Sequence, residues 1–240
     1  MATFMIIHGA WSAGWAWKKM RPLLRDRGHE VFTPTCTGLG ERAHLASPEV
    51  SLDTHIADML AVLEYEDLHD VVLVGHSYGG MVATAVADRA AARLAQLVYL
   101  DAFVPRHGQS LFDLIPAVAR ERNLAQSRSD GEGWKLPANP MPPDTSPADV
   151  AWALPRRRMQ PLKAFSTPVQ LGSAVESLPR SYIYCTRSGP GDVFRPFAEA
   201  ARASAEWRCF ELDASHNPHI TMPDTLAGLL HRIATNASAA

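Results

Sequence analysis

The stretch Val71-Val-Leu-Val-Gly-His-Ser-Tyr-Gly-Gly-Met81, VVLVGHSYGGM, decides how the rest of this 240-residue chain reads. Four β-favouring apolar residues run into Gly75-His-Ser-Tyr-Gly79, and a helix-like Ala/Val segment follows. A serine with a glycine two residues away on either side suits a sharp strand-to-helix reversal that lifts one hydroxyl beyond the sheet. The glycines relieve the crowding that side chains would suffer there. Ser77 is therefore the candidate nucleophile.

A serine hydroxyl reacts poorly at neutral pH without a base in hydrogen-bond reach. Of the ten histidines, His29, His44, His55, His69 and His231 sit in polar or helical settings that suggest the surface, and His8 and His76 belong to turns. His216 differs. It follows the apolar run Trp207 to Leu212 in the loop Asp213-Ala-Ser-His-Asn-Pro218, which brings it to the sheet edge that carries Ser77. The base in turn needs a carboxylate to hold its tautomer, and the chain order Ser…Asp/Glu…His admits Asp192 and Asp101, both after strands. Asp192 is the first choice and Asp101 the alternative. The backbone N–H of Tyr78 and that of Ala10, in the turn after the first strand, are the expected oxyanion donors. Trp11, Phe103, Trp152, Met159 and His219 are candidate pocket residues.

Short apolar runs recur along the chain at Phe4 to Ile7, Val31 to Phe32, Val71 to Val74, Leu97 to Leu100, Tyr182 to Cys185 and Trp207 to Leu212. Amphipathic helical patterns lie between several of them. Ser51 can cap one, in which Ile56, Met59, Leu60 and Leu63 share a face. Thr221 and Asp224 read as a capping box for another. This alternation predicts an α/β fold: a mostly parallel sheet of about six strands with helices on both faces. Residues 105–179 break the rhythm, holding 11 of the 18 prolines. Proline removes backbone donors, so this segment is unsuited to sheet core. Trp134, Trp152, Leu154, Met159, Leu162 and Phe165 give it apolar surface that a linker would lack. The expected organisation is a core of residues 1–104 and 180–235, a partly helical cap (lid) over 105–179, and a frayed tail at 236–240.

A net charge of −2 offers no electrostatic case for nucleic acid or an anionic membrane. No apolar segment nears the ~20 residues that span a bilayer, and the N-terminal residues lack the basic start and long apolar run of a signal peptide. Cys36, Cys185 and Cys209 are an odd set without metal-like spacing, which suggests reduced thiols in a cytoplasmic protein that needs no cofactor and no metal.

The chain resembles the α/β-hydrolase superfamily, and within it the branch of plant methylesterases, hydroxynitrile lyases and bacterial pyrethroid-hydrolase-like carboxylesterases. The resemblance rests on "IIHGAWSAGWAW" (Ile6 to Trp17), "GHEVFTPTCTGLGERAHL" (Gly28 to Leu45), the Ser77 stretch, "LVYLDAFVPRHGQS" (Leu97 to Ser110) and the His216 loop. It covers most of the core and little of residues 105–179. It implies a catalytic triad with Ser77 acylated, His216 as base and then acid, and a small apolar pocket. The implied activity is hydrolysis of small to medium hydrophobic carboxylic esters, by a monomer or homodimer whose partner is a small-molecule ester. The alternatives on the same scaffold are a lyase-like, non-hydrolytic use of the triad and a ligand receptor. The lyases of this branch carry a lysine directly after the triad histidine, whereas this chain has Asn217. The plant members place their acid three residues before a phenylalanine, whereas Asp192 stands two before Phe194. That departure keeps Asp101 open.

Overall fold

In the computed structural model, which describes residues 1–189 and 191–235, six strands form one parallel sheet. They are β1 (Thr3–Ile7), β2 (Glu30–Phe32), β3 (Val71–His76), β4 (Leu94–Leu100), β7 (Arg180–Cys185) and β8 (Trp207–Leu212). A separate antiparallel pair, β5 (Lys135–Leu136) and β6 (Gln160–Pro161), lies in the chain between β4 and β7. Each of the six apolar runs becomes a strand, extended at one or both ends in every case but β8. The helices are α1 (Met20–Arg25), α2 (Leu52–Tyr65), α3 (Gly79–Arg89), α4 (Ala117–Asp130), α5 (Pro147–Ala153), α6 (Lys163–Ser166), α7 (Arg195–Arg202), α8 (Pro218–Thr221) and α9 (Pro223–Thr235).

The strands are apolar at successive positions because both faces of the sheet are covered. Met5, Ile7, Leu73, Leu97 and Tyr99 point into a core shared with α2, α3 and α7. Their neighbours Phe4, Ile6, Val72, Val74, Val98 and Leu100 point the opposite way, into a core shared with α1 and α9. Alternation with a period of two, apolar on both sides, is the signature of a buried parallel sheet.

The strand order is β2-β1-β3-β4-β7-β8. The chain moves outward from β1 to β2, crosses back to β3, and continues in the other direction. The order therefore reverses between β1 and β3, and a crevice opens there at the carboxyl ends of the strands. His8 to Trp11 follow β1 at this point, and Ser77 follows β3.

Residues 105–179 contribute no strand to the six-stranded sheet. Their Leu111, Phe112, Leu136, Phe165 and Val169 are buried in the core shared with α2, α3 and α7. Leu111 to Arg122 hold two elements, a 3₁₀ turn at Leu111–Asp113 and then the start of α4, separated at Pro116, which lacks an N–H to continue the first. Ser51 caps α2 as expected, its side chain accepting from the Thr54 N–H. Thr221 does not cap α9. It ends α8, and its hydroxyl donates back to the Asn217 carbonyl. The tail at 236–240 lies outside the described residues.

Candidate active site

Ser77 sits at φ +55°, a left-handed backbone that non-glycine residues rarely adopt. The conformation is enforced from both sides. The Ser77 N–H donates to the Leu100 carbonyl at 3.3 Å, and the Phe103 N–H donates to the Ser77 carbonyl at 3.2 Å. The flanking glycines are there for space. A Cβ on Gly75 would stand 2.8 Å from both the Ala83 Cβ and the Gly79 carbonyl oxygen. One on Gly79 would meet the Ile7 carbonyl oxygen at 2.4 Å. α3 therefore starts directly against β1, and the serine has nowhere to go but outward.

His216 Nε2 lies 2.9 Å from Ser77 Oγ, and its Nδ1 lies 2.7 Å from Asp101 Oδ2. A carboxylate can only accept, so Nδ1 carries the proton and Nε2 is left to accept from the serine hydroxyl. Asp101 is 3% exposed and its second oxygen accepts from the Cys185 N–H, so the carboxylate is oriented before it meets the ring. It too sits at positive φ, +42°, with its N–H bound to the Ile183 carbonyl.

Asp192, the first choice from the sequence, is not the carboxylate that meets the imidazole. Its oxygens accept from the Tyr184 and Ser188 hydroxyls and from the N–H groups of Phe194 and Arg195. Burial alone would raise its pKa, but these four donated bonds outweigh it and hold the carboxyl below its ordinary range. Asp192 instead organises the turn that lays Phe194 flat against the His216 ring, with centroids 4.8 Å apart.

Three further histidines surround this group, and all are fully or nearly buried. His76 donates from Nε2 to the His216 carbonyl at 2.8 Å, which anchors the backbone of that loop. Burial, with neighbouring imidazoles adding to it, holds His76 well below the usual histidine range, and burial likewise takes His219 down to about 3. His8 donates from Nδ1 to the Gly9 carbonyl and accepts the Cys36 N–H at Nε2. His29 and His55, expected on the surface, are buried at 4% and 0% exposure. His55 accepts from the Tyr78 hydroxyl and donates to the Thr37 carbonyl, fixing the residue next to Ser77.

Ser77 opens into a cavity of about 430 Å³. Ala10 and Tyr78 are on its wall, and among the described residues neither backbone N–H donates to a protein acceptor. Both are thus available to an oxyanion at the serine. Trp11 is held at φ +60° by the segment between β4 and β7: its N–H donates to Gln160 Oε1, its indole to the Leu136 carbonyl, and its carbonyl accepts from Arg158.

Of the pocket candidates, Trp11, Phe103 and His219 line the cavity. Trp152 and Met159 do not. Trp152 packs edge-on against Trp15, one layer behind the wall, and Met159 is 39% exposed. Leu111, Phe165 and Phe194 supply apolar wall that the sequence did not single out as pocket, and Asn123 and Arg157 supply polar wall. The face of α4 that carries Ala119, Arg122 and Asn123 at helical spacing is the signal that could have found Asn123. Among the described residues no group of three or more His, Cys, Asp or Glu is placed to hold a metal ion.

The model of the alpha/beta hydrolase family matches residues 4–229. The carbendazim hydrolyzing esterase of Nocardioides sp. is 40% identical over 238 residues, 95% of this chain and 97% of that protein. The pyrethroid hydrolase of Sphingobium wenxiniae is 28% identical over 93% of this chain and 84% of its own length. Among solved structures, an extracellular alpha/beta-hydrolase from a Paenibacillus species superposes with a TM-score of 0.83 at 27% identity, covering 96% of this chain and 98% of that one.

Proposed function

The chain belongs to the alpha/beta hydrolase family, and from that premise we propose a carboxylesterase whose triad is Ser77, His216 and Asp101. One observation carries the assignment: the unbroken path from Asp101 Oδ2 to His216 Nδ1 at 2.7 Å and from Nε2 to Ser77 Oγ at 2.9 Å. The esterase relatives support the reaction class.

In this reading Ser77 Oγ attacks the ester carbonyl while its proton passes to His216 Nε2. Asp101 stabilises the imidazolium that results. The Ala10 and Tyr78 N–H groups take the negative charge on the tetrahedral oxygen; one such donor is worth about 3 kcal/mol to the chemical step. Collapse breaks the ester C–O bond, His216 returns the proton to the departing alcohol, and an acyl-serine remains. Water repeats the sequence and frees the acid. Residues 105–179 act as a cap on the core of residues 1–104 and 180–235, since Leu111 and Phe165 from the one and Ser77 and Phe194 from the other line the same cavity. That mainly apolar cavity suits small to medium hydrophobic esters. Residue types at the wall discriminate such substrates weakly, by about 1–3 kcal/mol per methylene. The enzyme acts as a monomer or homodimer without a cofactor. Three unpaired cysteines support a cytoplasmic location.

A fluorophosphonate probe tests the proposal together with p-nitrophenyl ester hydrolysis. The wild-type chain labels at Ser77, and Ser77→Ala abolishes labelling and lowers kcat by about 10⁶-fold. Undiminished hydrolysis by a folded Ser77→Ala protein would remove the nucleophile from this account.

A further inference from the structure

The cavity wall is not uniformly apolar. Asn123, on α4, is 8% exposed, yet its amide makes no hydrogen bond with any described protein group. Buried side-chain polar groups are normally hydrogen-bonded, so an amide without a protein partner stands out. Asn123 differs from truly sealed orphans such as the Gln160 Nε2 atom, which is shut inside the protein. Its own atoms keep some accessible surface, and the residue lines the cavity that holds Ser77.

A second feature points the same way. Arg157 lines this cavity with its guanidinium over the Trp11 ring and bonded to the Asn139 carbonyl. No carboxylate lies within 4 Å of it among the described residues, and burial pulls its pKa down. Arg122, beside Asn123, also lines the cavity and also lacks a carboxylate partner there. No lining residue is acidic. The wall thus offers the side-chain amides of Asn123, Asn139 and Asn217 and two guanidiniums as donors, of which Asn123 is the deeply buried amide, and no charged acceptor competes for them.

We infer that Asn123 is a specificity-determining residue: it donates from its side-chain amide to a hydrogen-bond acceptor carried by the substrate away from the scissile ester. The acceptor is a carbonyl oxygen, an aromatic ring nitrogen or a carboxylate. Arg122 and Arg157 add positive potential to the same cavity. The inference rests on the esterase proposal above, because it concerns the substrate of the same cavity.

The test uses two ester series, ring-substituted phenyl acetates and methyl phenylpropanoates, so that both the alcohol and the acyl end are sampled. Each series carries a 4-isopropyl, a 4-acetyl or a 4-carboxylate group. The change in kcat/KM caused by Asn123→Leu is compared within each substrate, which cancels leaving-group electronics. In at least one series Asn123→Leu lowers kcat/KM about 10-fold for the acetyl ester. The isopropyl isostere holds or improves, and its turnover certifies that the variant is folded. A loss with the carboxylate that exceeds the loss with acetyl identifies an anionic acceptor; equal losses identify a neutral one. Asn123→Asp keeps the volume but replaces the donor with a negative charge, and relative to wild type on the same substrate its loss is greatest for the carboxylate ester. Equal effects on all substituents in both series, in both variants, would overturn the inference while leaving the esterase proposal intact. Failure of the wild-type chain to hydrolyse any of these esters would overturn the esterase proposal itself.

Discussion

At the scale of single residues, Asp101 and Asp192 show why two carboxylates at strand ends are not equivalent. Asp101 directs one oxygen to the Cys185 N–H and the other to His216, whereas Asp192 gives one oxygen to the N–H groups of its own turn and the other to the Tyr184 and Ser188 hydroxyls. Asp101→Asn should therefore lower kcat by about 10⁴-fold, since an amide facing Nδ1 favours the wrong tautomer. Asp192→Asn should stay within a few-fold, as it perturbs only the turn beneath Phe194. Steady-state kinetics on both variants check the order, and a larger loss in Asp192→Asn would reverse the assignment. The residues around Ser77 were legible before any coordinates because glycine spacing, strand run and helix run all report the same local turn. The acid was not legible. Both candidates obey the chain order, and what separates them is the direction of a side chain at φ +42°, which no spacing encodes.

At the scale of elements, the antiparallel pair β5–β6 matters more than its two-residue strands suggest. Gln160 on β6 accepts the Trp11 N–H, and the Leu136 carbonyl on β5 accepts the Trp11 indole. The turn that carries Ala10 on the cavity wall is thereby fixed from across the crevice, at 149 and 125 residues' separation in the chain. Gln160→Leu removes the acceptor while nearly preserving volume. It should lower kcat about 10-fold through a loosened oxyanion donor, with KM little changed. A rise in KM at constant kcat would instead assign Gln160 to substrate binding. These elements resisted reading from sequence for a definite reason. Short strands, proline-interrupted helices and turns carry no sustained period, so the sequence pointed to Trp152 and Met159 for the pocket and passed over Phe165. The core strands carried a clearer signal because all but β8 are built round an unbroken apolar run.

At the scale of the whole molecule, burying the sheet on both faces also buries imidazoles, and this sets how stability depends on pH. His55 is held down to about 4 and His219 to about 3 by burial, against about 6.5 in an unfolded chain. Between those values the unfolded state binds more protons than the folded one, so stability rises with pH across that window. The contribution is complete above pH ~6.5 and is lost as pH falls toward 4. Each of these two histidines accounts for about 2 kcal/mol between pH 7.5 and pH 5. His8, His29 and His76 are also lowered by burial and act in the same direction. The hydrogen-bonded Asp113 and Asp192, with lowered carboxyl pKa values, add losses of the same sign in a more acidic range. Urea midpoints should therefore fall steeply from pH 7.5 to pH 5. In His55→Gln, which still offers an acceptor to the Tyr78 hydroxyl, the slope should be shallower by up to one proton. A midpoint that stays level over this range, or a slope unchanged in His55→Gln, would mean that the imidazole at the end of the Tyr78 hydroxyl is protonated in the native protein. The Tyr78 hydroxyl would then have no acceptor at Nδ1, and the clamp on the residue beside Ser77 would have to be redrawn.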